Sequence, residues 1–407
     1  MNPATEWSTV HKRSTIGHQT ALAWMLLCGL CLGWPMLGGA QLSPQSSAQS
    51  STQSSKQAPP TPVESSSTQM DEKVRIAQAS SSAPGSEPLE AVDFSDPRAV
   101  GAWIEARLAG GESVLTTDEV TRLMDWVDET APRLRLQMAR DIYFGAGRLA
   151  FGVAADDRVL EFLIKARQLA QDQPLAADIQ RWVGDVHAAT GAFEQALEVY
   201  LNGLQVEGIE PITQGELFLS LGDVSRRLNE TERALRYFSR AEEVADAAGL
   251  TALLVRVRLS QAAAYRQVNE NARALAVYED GLAQARALDD AVVEAMFYNN
   301  LGNVLRDMGD YPQALEYFDQ ALEISKSLGL DYGVGINHIN QAVTYYLEEN
   351  YDQALAKYEQ AETILNSMDR PYEQRSVYEG FAYVYQALGQ YEAAFDALMR
   401  FNALNNQ

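Results

Sequence analysis

The second half of the chain repeats itself every forty residues. Six segments superpose around Gly184, Gly222, Ala262, Gly302, Ala342 and Ala382, at spacings of 38, 40, 40, 40 and 40. Twelve residues after each stands an alanine: Ala196, Ala234, Ala274, Ala314, Ala354 and Ala394. Four residues further on comes a ring or a leucine, namely Tyr200, Phe238, Tyr278, Phe318, Tyr358 and Leu398. Seven after the alanine the residue is small (Gly203, Ala241, Gly281, Ala321, Ala361), until Phe401 breaks the rule. Positions i, i+4 and i+7 form one stripe of a helix, so each unit carries a packing helix whose small residues allow close approach and whose ring fills the gap between units. A unit of this kind cannot bury its apolar face alone, so neighbours must stack.

The helix breakers agree with this frame. Gly191, Asn229, Asn269, Gly309 and Gly389 fall between the two helices of a unit, and these residue types accept the left-handed conformation that ends a helix. Pro312 falls in the first turn of a second helix, where a missing N–H costs nothing. Pro174, Pro211 and Pro371 fall between units.

The pattern resembles the tetratricopeptide repeat, with a small residue at place 8, Ala at place 20, an aromatic at 24 and a small residue at 27. Asn300-Leu-Gly-Asn303 followed by Gly309-Asp-Tyr-Pro-Gln-Ala314-Leu is close to the family consensus. The period is similar to the lengthened variety of polarity adaptors, kinesin light chains and bacterial peptide-responsive regulators. The resemblance implies an all-α fold, a right-handed α-solenoid of stacked antiparallel helix pairs, over residues 177–407. Departures are alanine at place 8 in three units and the polar Gln261 and Gln341 at place 7. A degenerate unit over 133–176 keeps Gly147 and Ala166 at the small places but puts Val159 where the alanine belongs. Residues 96–132 hold two more helical patterns, one with Trp103, Ile104 and Leu108, the other starting near Thr117; their expected role is to cap the array.

The N-terminus reads as an export signal over residues 1–40. Lys12 and Arg13 precede an uncharged run with its apolar centre at Ala21–Leu32, then Gly33, Pro35, Gly38 and Gly39, and Ala40. The early helix break favours cleavage over an anchor left in the membrane. Either way the positive N-terminal flank sends the remainder across the membrane, so the expected location is the bacterial periplasm or cell envelope, or the exterior. Cys28 and Cys31 both lie in this run and form no folded redox pair, and Met25-Leu26-Leu27 before Cys28 does not fit a lipoprotein signal. Residues 41–95 read as a disordered tether: Ser, Gln, Pro and Thr supply 30 of the 50 residues from 41 to 90, too few apolar groups to offset ordering entropy.

Charge narrows the function. The 407 residues carry 55 acids against 32 bases, and −22 of the net −23 falls on residues 91–407. Nucleic-acid binding needs a basic footprint and is not expected; the membrane is expected to be met only through the N-terminal segment. No phosphate loop, nucleophile elbow or zinc-protease helix is present. His187 and His338 are read as packing residues, and without cysteines they make a poor zinc pair. The chain is therefore read as a non-enzyme with no cofactor, and its chemistry as recognition.

In the resembling family, places 2, 5, 9 and 12 of each first helix line the concave groove. Place 12 here gives Arg226, Arg266 and Arg306, with Arg227 beside the first: a cationic ladder in an acidic domain. The unit around Gly302 adds Asn299 and Asn303, with Asn300 adjacent, and asparagine is a poor helix former. The next stripe turns apolar with Ile336, Ile339, Val343 and Tyr346, followed by Tyr383. These residues suggest a two-part groove for a protein or extended peptide, with arginines and asparagines gripping carboxylates and backbone amides and an Ile/Val/Tyr patch burying one apolar anchor. The competing reading is that the arginines pair with Asp223, Asp307 or neighbouring acids of the chain itself. The chaperone-tail clamp, with lysine at place 5, is not reproduced: Leu219, Leu259 and Asn299 stand there. Two other functions stay open, a structural subunit of a fixed envelope complex and, less favoured, a carboxylate-dependent enzyme. The array ends at Gln407, so Phe395, Leu398 and Phe401 are expected to be partly exposed and to offer a contact between copies.

Overall fold

The computed structural model describes Leu89 and residues 92–110, 115–151, 157–170, 173–368 and 371–405. The export segment and nearly all of the tether lie outside the described residues. Among those described there are sixteen α-helices and no strand.

Two helices open the fold, α1 (Pro97–Gly110) and α2 (Thr117–Thr130), and both pack on α3 (Leu136–Phe151). The N-cap of α2 is Thr116, one residue before the expected start. Glu119 lies three residues after Thr116, so each side chain meets the other's backbone N–H in a capping box. Helix α3 pairs with α4 (Asp157–Leu169). Six further pairs follow: α5 (Gln173–Ala189) with α6 (Phe193–Gly203), α7 (Pro211–Arg227) with α8 (Thr231–Ala248), and α9 (Thr251–Gln267) with α10 (Asn271–Ala287). Then come α11 (Ala291–Asp307) with α12 (Tyr311–Ser327), α13 (Asp331–Leu347) with α14 (Tyr351–Leu365), and α15 (Pro371–Ala387) with α16 (Tyr391–Asn405). Each second helix also packs on the first helix of the following unit, and successive first helices from α3 to α15 touch one another. The result is an α-solenoid whose first helices form one continuous layer.

The periodic residues are what hold the pairs together. Ala196, Ala234, Ala274, Ala314 and Ala354 are fully buried, as are Tyr200, Phe238, Tyr278, Phe318 and Tyr358. The difference between glycine and alanine at place 8 has a steric counterpart in two adjacent units. Phe318 lies flat against Gly302, where a Cβ would stand 2.6 Å from the ring. Where place 8 is Ala342, the ring of Tyr358 turns instead onto Gly380 of the next unit, 2.1 Å from a Cβ built there. The polar place-7 residues are buried with partners. Gln261 accepts from Arg258 at 3.1 Å, and Gln341 donates to Asp319 at 2.6 Å.

The turns inside the units adopt left-handed backbone as the sequence suggested, at Gly191, Asn229, Asn269, Gly309 and Gly389. The unit lacking such a residue makes the same turn anyway, with Glu349 at φ 61°. Packing of the flanking helices on both sides imposes this conformation on an ill-suited residue. At the far end, Tyr391, Phe395, Leu398 and Met399 are exposed, while Phe401 is half-buried, facing the Arg375 guanidinium at 5.4 Å.

Candidate binding groove

Each first helix carries its polar places toward its neighbours in the layer, and the side chains there bridge consecutive units at a nearly constant offset. Arg266 donates to Asp307, forty-one residues on, at 2.6 Å. Arg226 donates to Gln267 at 3.3 Å, and Asn340 donates to Asn299 at 2.7 Å, both at the same offset. Arg256 donates to Glu216 at 2.9 Å, forty residues back, and Tyr332 donates to Glu373 at 2.8 Å, forty-one on.

The ladder's arginines are partly engaged by the chain itself. Arg226 is buried and its Nε has no partner. Arg227 donates to the Ala188 carbonyl at 3.1 Å, which satisfies the C-terminal end of α5. Arg306 is the least well served. Its Nη1 reaches Asn340 at 3.4 Å, and its Nε lies 3.8 Å from the Asp307 carboxylate that Arg266 holds more closely. Burial, and then the positive charge of Arg266, pull its pKa down to about 10. On places 9, 12 and 13 of α7, α9 and α11, four arginines face only two carboxylates, Asp223 and Asp307. Burial raises the pKa of Asp223, against the pull of Arg226 and Arg227.

The asparagines gather on two neighbouring helices. Asn299, Asn300 and Asn303 on α11 and Asn337 and Asn340 on α13 are all at most 5% exposed. Asn340 links Arg306 to Asn299. Asn300 and Asn337 donate to the Met296 and Gly333 carbonyls. The Oδ1 atoms of Asn300, Asn303 and Asn337 meet no donor. A buried amide without its partners costs about 1–3 kcal/mol, which stability alone does not explain.

The apolar stripe is only partly available. Ile339 is 0% exposed and belongs to the core around Tyr358 and Phe381. This corrects its expected place on the anchor surface: at place 5 the side chain falls between adjacent first helices, where it is enclosed. Val343, Tyr346 and Tyr383 remain half-buried. Tyr346 sits 5.9 Å from the Tyr351 ring and 6.4 Å from that of Tyr383, so three tyrosines form one patch.

One cluster escaped the sequence reading. Arg181 meets Asp178 at 3.0 Å, Asp185 at 2.8 Å and Glu216 at 3.0 Å, and Tyr200 donates to Asp185 at 2.7 Å. Places 2, 5 and 9 of the first two units hold Asp178, Arg181, Asp185 and Glu216, but these residues do not recur at forty through the array. Among the described residues no group of three or more His, Cys, Asp or Glu side chains is arranged to hold a metal. His338 is buried and shares a 3.3 Å contact with Gln341; burial and Lys357 push its pKa down to about 4.

Residues 293–367 match the tetratricopeptide repeat family. That span is α11 to α14, the part of the array holding the asparagines and Arg306. No curated protein matches the chain in sequence. Among solved structures, the chain is similar to a Rap protein complexed with competence and sporulation factor, at 17% identity and a TM-score of 0.53, covering 78% of this chain and 98% of that one. It is also similar to aspartyl phosphate phosphatase F from Bacillus subtilis, at 11% identity and a TM-score of 0.54, covering 85% and 96%. The apo form of RapI gives 14% identity and a TM-score of 0.52, covering 70% and 86%. At these identities the likeness is one of fold, a tetratricopeptide-like solenoid.

Proposed function

We propose that the chain is an exported, non-enzymatic scaffold that holds an extended, acidic peptide or protein segment along the inner layer of its first helices. The observation that carries this is Arg306, a half-buried guanidinium with one long hydrogen bond and a 3.8 Å approach to Asp307, on the same helix as an Asn303 side-chain oxygen that meets no donor. An extended segment offers both complements, carboxylates for the ladder and backbone N–H groups for the asparagines, and the tyrosine patch takes an apolar side chain next to them. The match at residues 293–367 and the Rap protein solved with a bound factor support this use of the fold. The apolar run after Lys12 and Arg13 supports the envelope as the place of action.

The test is to change Arg226, Arg266 and Arg306 together to Gln, and in a second variant to Glu, then measure partner capture from envelope extracts alongside thermal melting. Loss of capture by a variant that still melts cooperatively supports the groove; full capture by such a variant overturns it. A second reading, a subunit fixed in a larger assembly, draws on α16, where Tyr391 and Phe395 are 72% and 62% exposed. A partner held by the ladder is released by salt, whereas one held by α16 is not.

A further inference from the structure

The guanidinium of Arg148 is enclosed by aromatic rings and meets no acceptor. We propose that it forms a second anion subsite at the N-terminal end of the inner layer, taking a single carboxylate such as the side chain of an acidic residue in a bound peptide. This rests on the groove reading above, and it assigns a contact to a helix outside the six regular units.

Arg148 lies on α3 directly after Gly147, at the place held in later units by Asp185, Asp223, Ala263, Asn303, Val343 and Tyr383. It therefore continues the ligand-facing stripe into the degenerate unit, and α3 touches α5 in the same layer as the other first helices. Its guanidinium stands 5.3 Å from the Phe144 ring and 5.1 Å from the Trp182 ring. Phe144 and Trp182 are 8% and 7% exposed, so packing fixes both walls. Arg181 lies 4.7 Å from the same indole, but Arg181 has its three carboxylates.

Arg148 has none. Among the described residues it makes no hydrogen bond or ion pair, although its side chain is partly buried and its Nε fully so. The indole Nε1 of Trp182 is likewise buried without an acceptor. Two buried donors on one pair of packed side chains meet no acceptor, and the part of the Arg148 guanidinium left accessible is where an anion can approach. Aromatic contacts hold a guanidinium's position and leave its in-plane edge for bidentate bonding. The surroundings select a monoanion. Two carboxylates, Asp178 and Glu216, and one guanidinium, Arg181, act on Arg148 electrostatically, a net negative setting that repels a phosphate dianion more than a carboxylate.

The probe is N-acetylglutamate amide, with its glutamine analogue and inorganic phosphate as comparisons, added to the full chain carrying 5-fluorotryptophan. The Trp182 resonance is assigned by Trp182→Phe. We expect a saturable shift of that resonance with the glutamate compound, little with the glutamine analogue, and an affinity at least about tenfold weaker in Arg148→Met. Arg148→Lys, which keeps the charge without the planar fork, is expected to fall between and serves if the Met variant does not fold. No shift, an equal shift with glutamine, or an unchanged response in both variants overturns the subsite; a stronger response to phosphate overturns its assignment to a carboxylate. Repeating the titration in the Arg226/Arg266/Arg306→Gln variant separates the two proposals. A silent Trp182 with ladder-dependent capture rejects only this subsite, and a responding Trp182 with ladder-independent capture rejects only the ladder.

Discussion

The carboxylate of Asp307 serves two guanidiniums, that of Arg266 at 2.6 Å and that of Arg306 at 3.8 Å. The shared acid holds two like charges together across a unit boundary. Replacing it therefore acts on stability and on binding in opposite directions. Asp307→Asn is expected to lower stability by about 1–3 kcal/mol, because two partly buried arginines lose their common counter-charge. If the groove takes acidic segments, the same variant binds them more tightly, as the ladder's positive surplus is then unopposed. Chemical denaturation and partner titration at matched salt read the two effects; weaker binding by a folded Asp307→Asn would contradict the groove.

The contact between Gly302 and Phe318 sets a steric prediction. With a Cβ 2.6 Å from the ring, Gly302→Ala is expected to destabilise by about 1–3 kcal/mol through overpacking, despite alanine's better helix propensity. Phe318→Leu in the same chain should recover part of this loss, as a double-mutant cycle in urea would show.

Glu349 predicts a gain. It is exposed and holds a positive φ in the turn between α13 and α14, where the other units use Gly or Asn. Glu349→Gly is expected to raise stability by up to about 1 kcal/mol, since the left-handed conformation costs an L side chain roughly 1–2 kcal/mol and glycine's extra unfolded-state entropy takes back part of that. A melting temperature that falls would show that the side chain contributes something at this turn.

His338 predicts a pH dependence. Its folded pKa, about 4, lies below the ordinary histidine value of 6.5, so the unfolded chain takes up a proton first as pH falls. The stabilising contribution of the neutral imidazole is complete above about pH 6.5 and is lost progressively as pH drops toward 4. The total is on the order of 1–3 kcal/mol. His338→Gln should flatten this part of the stability curve, which denaturation at several pH values between 4 and 7 would show; an unchanged slope would show that His338 does not carry it, since Asp185 and Asp223, whose pKa values burial raises, act in the opposite sense.

The helix pairs were legible because each unit repeats Ala, ring and small residue at the same places, and packing uses those residues in the same way each time. The cation ladder was legible for the same reason, since Arg226, Arg266 and Arg306 recur at forty. What escaped was everything that depends on the distance between units. Ile339 sits on the predicted stripe, yet α13 and its neighbours close over it. Glu216 meets Arg181 and Arg256 only when α5, α7 and α9 lie side by side. The turn at Glu349 had no local signal, because its conformation is imposed by the helices around it.

Bridges at one fixed offset also turn the inner layer into a ruler. Because Arg266 with Asp307, Asn340 with Asn299 and Arg256 with Glu216 each tie one unit to the next, the pitch between neighbouring units cannot drift without breaking several of them at once. Guanidiniums mounted on such a frame keep a set separation, and a ligand whose charges are spaced differently must bend to the wall or forgo a contact. Selectivity would then be read from length as much as from composition.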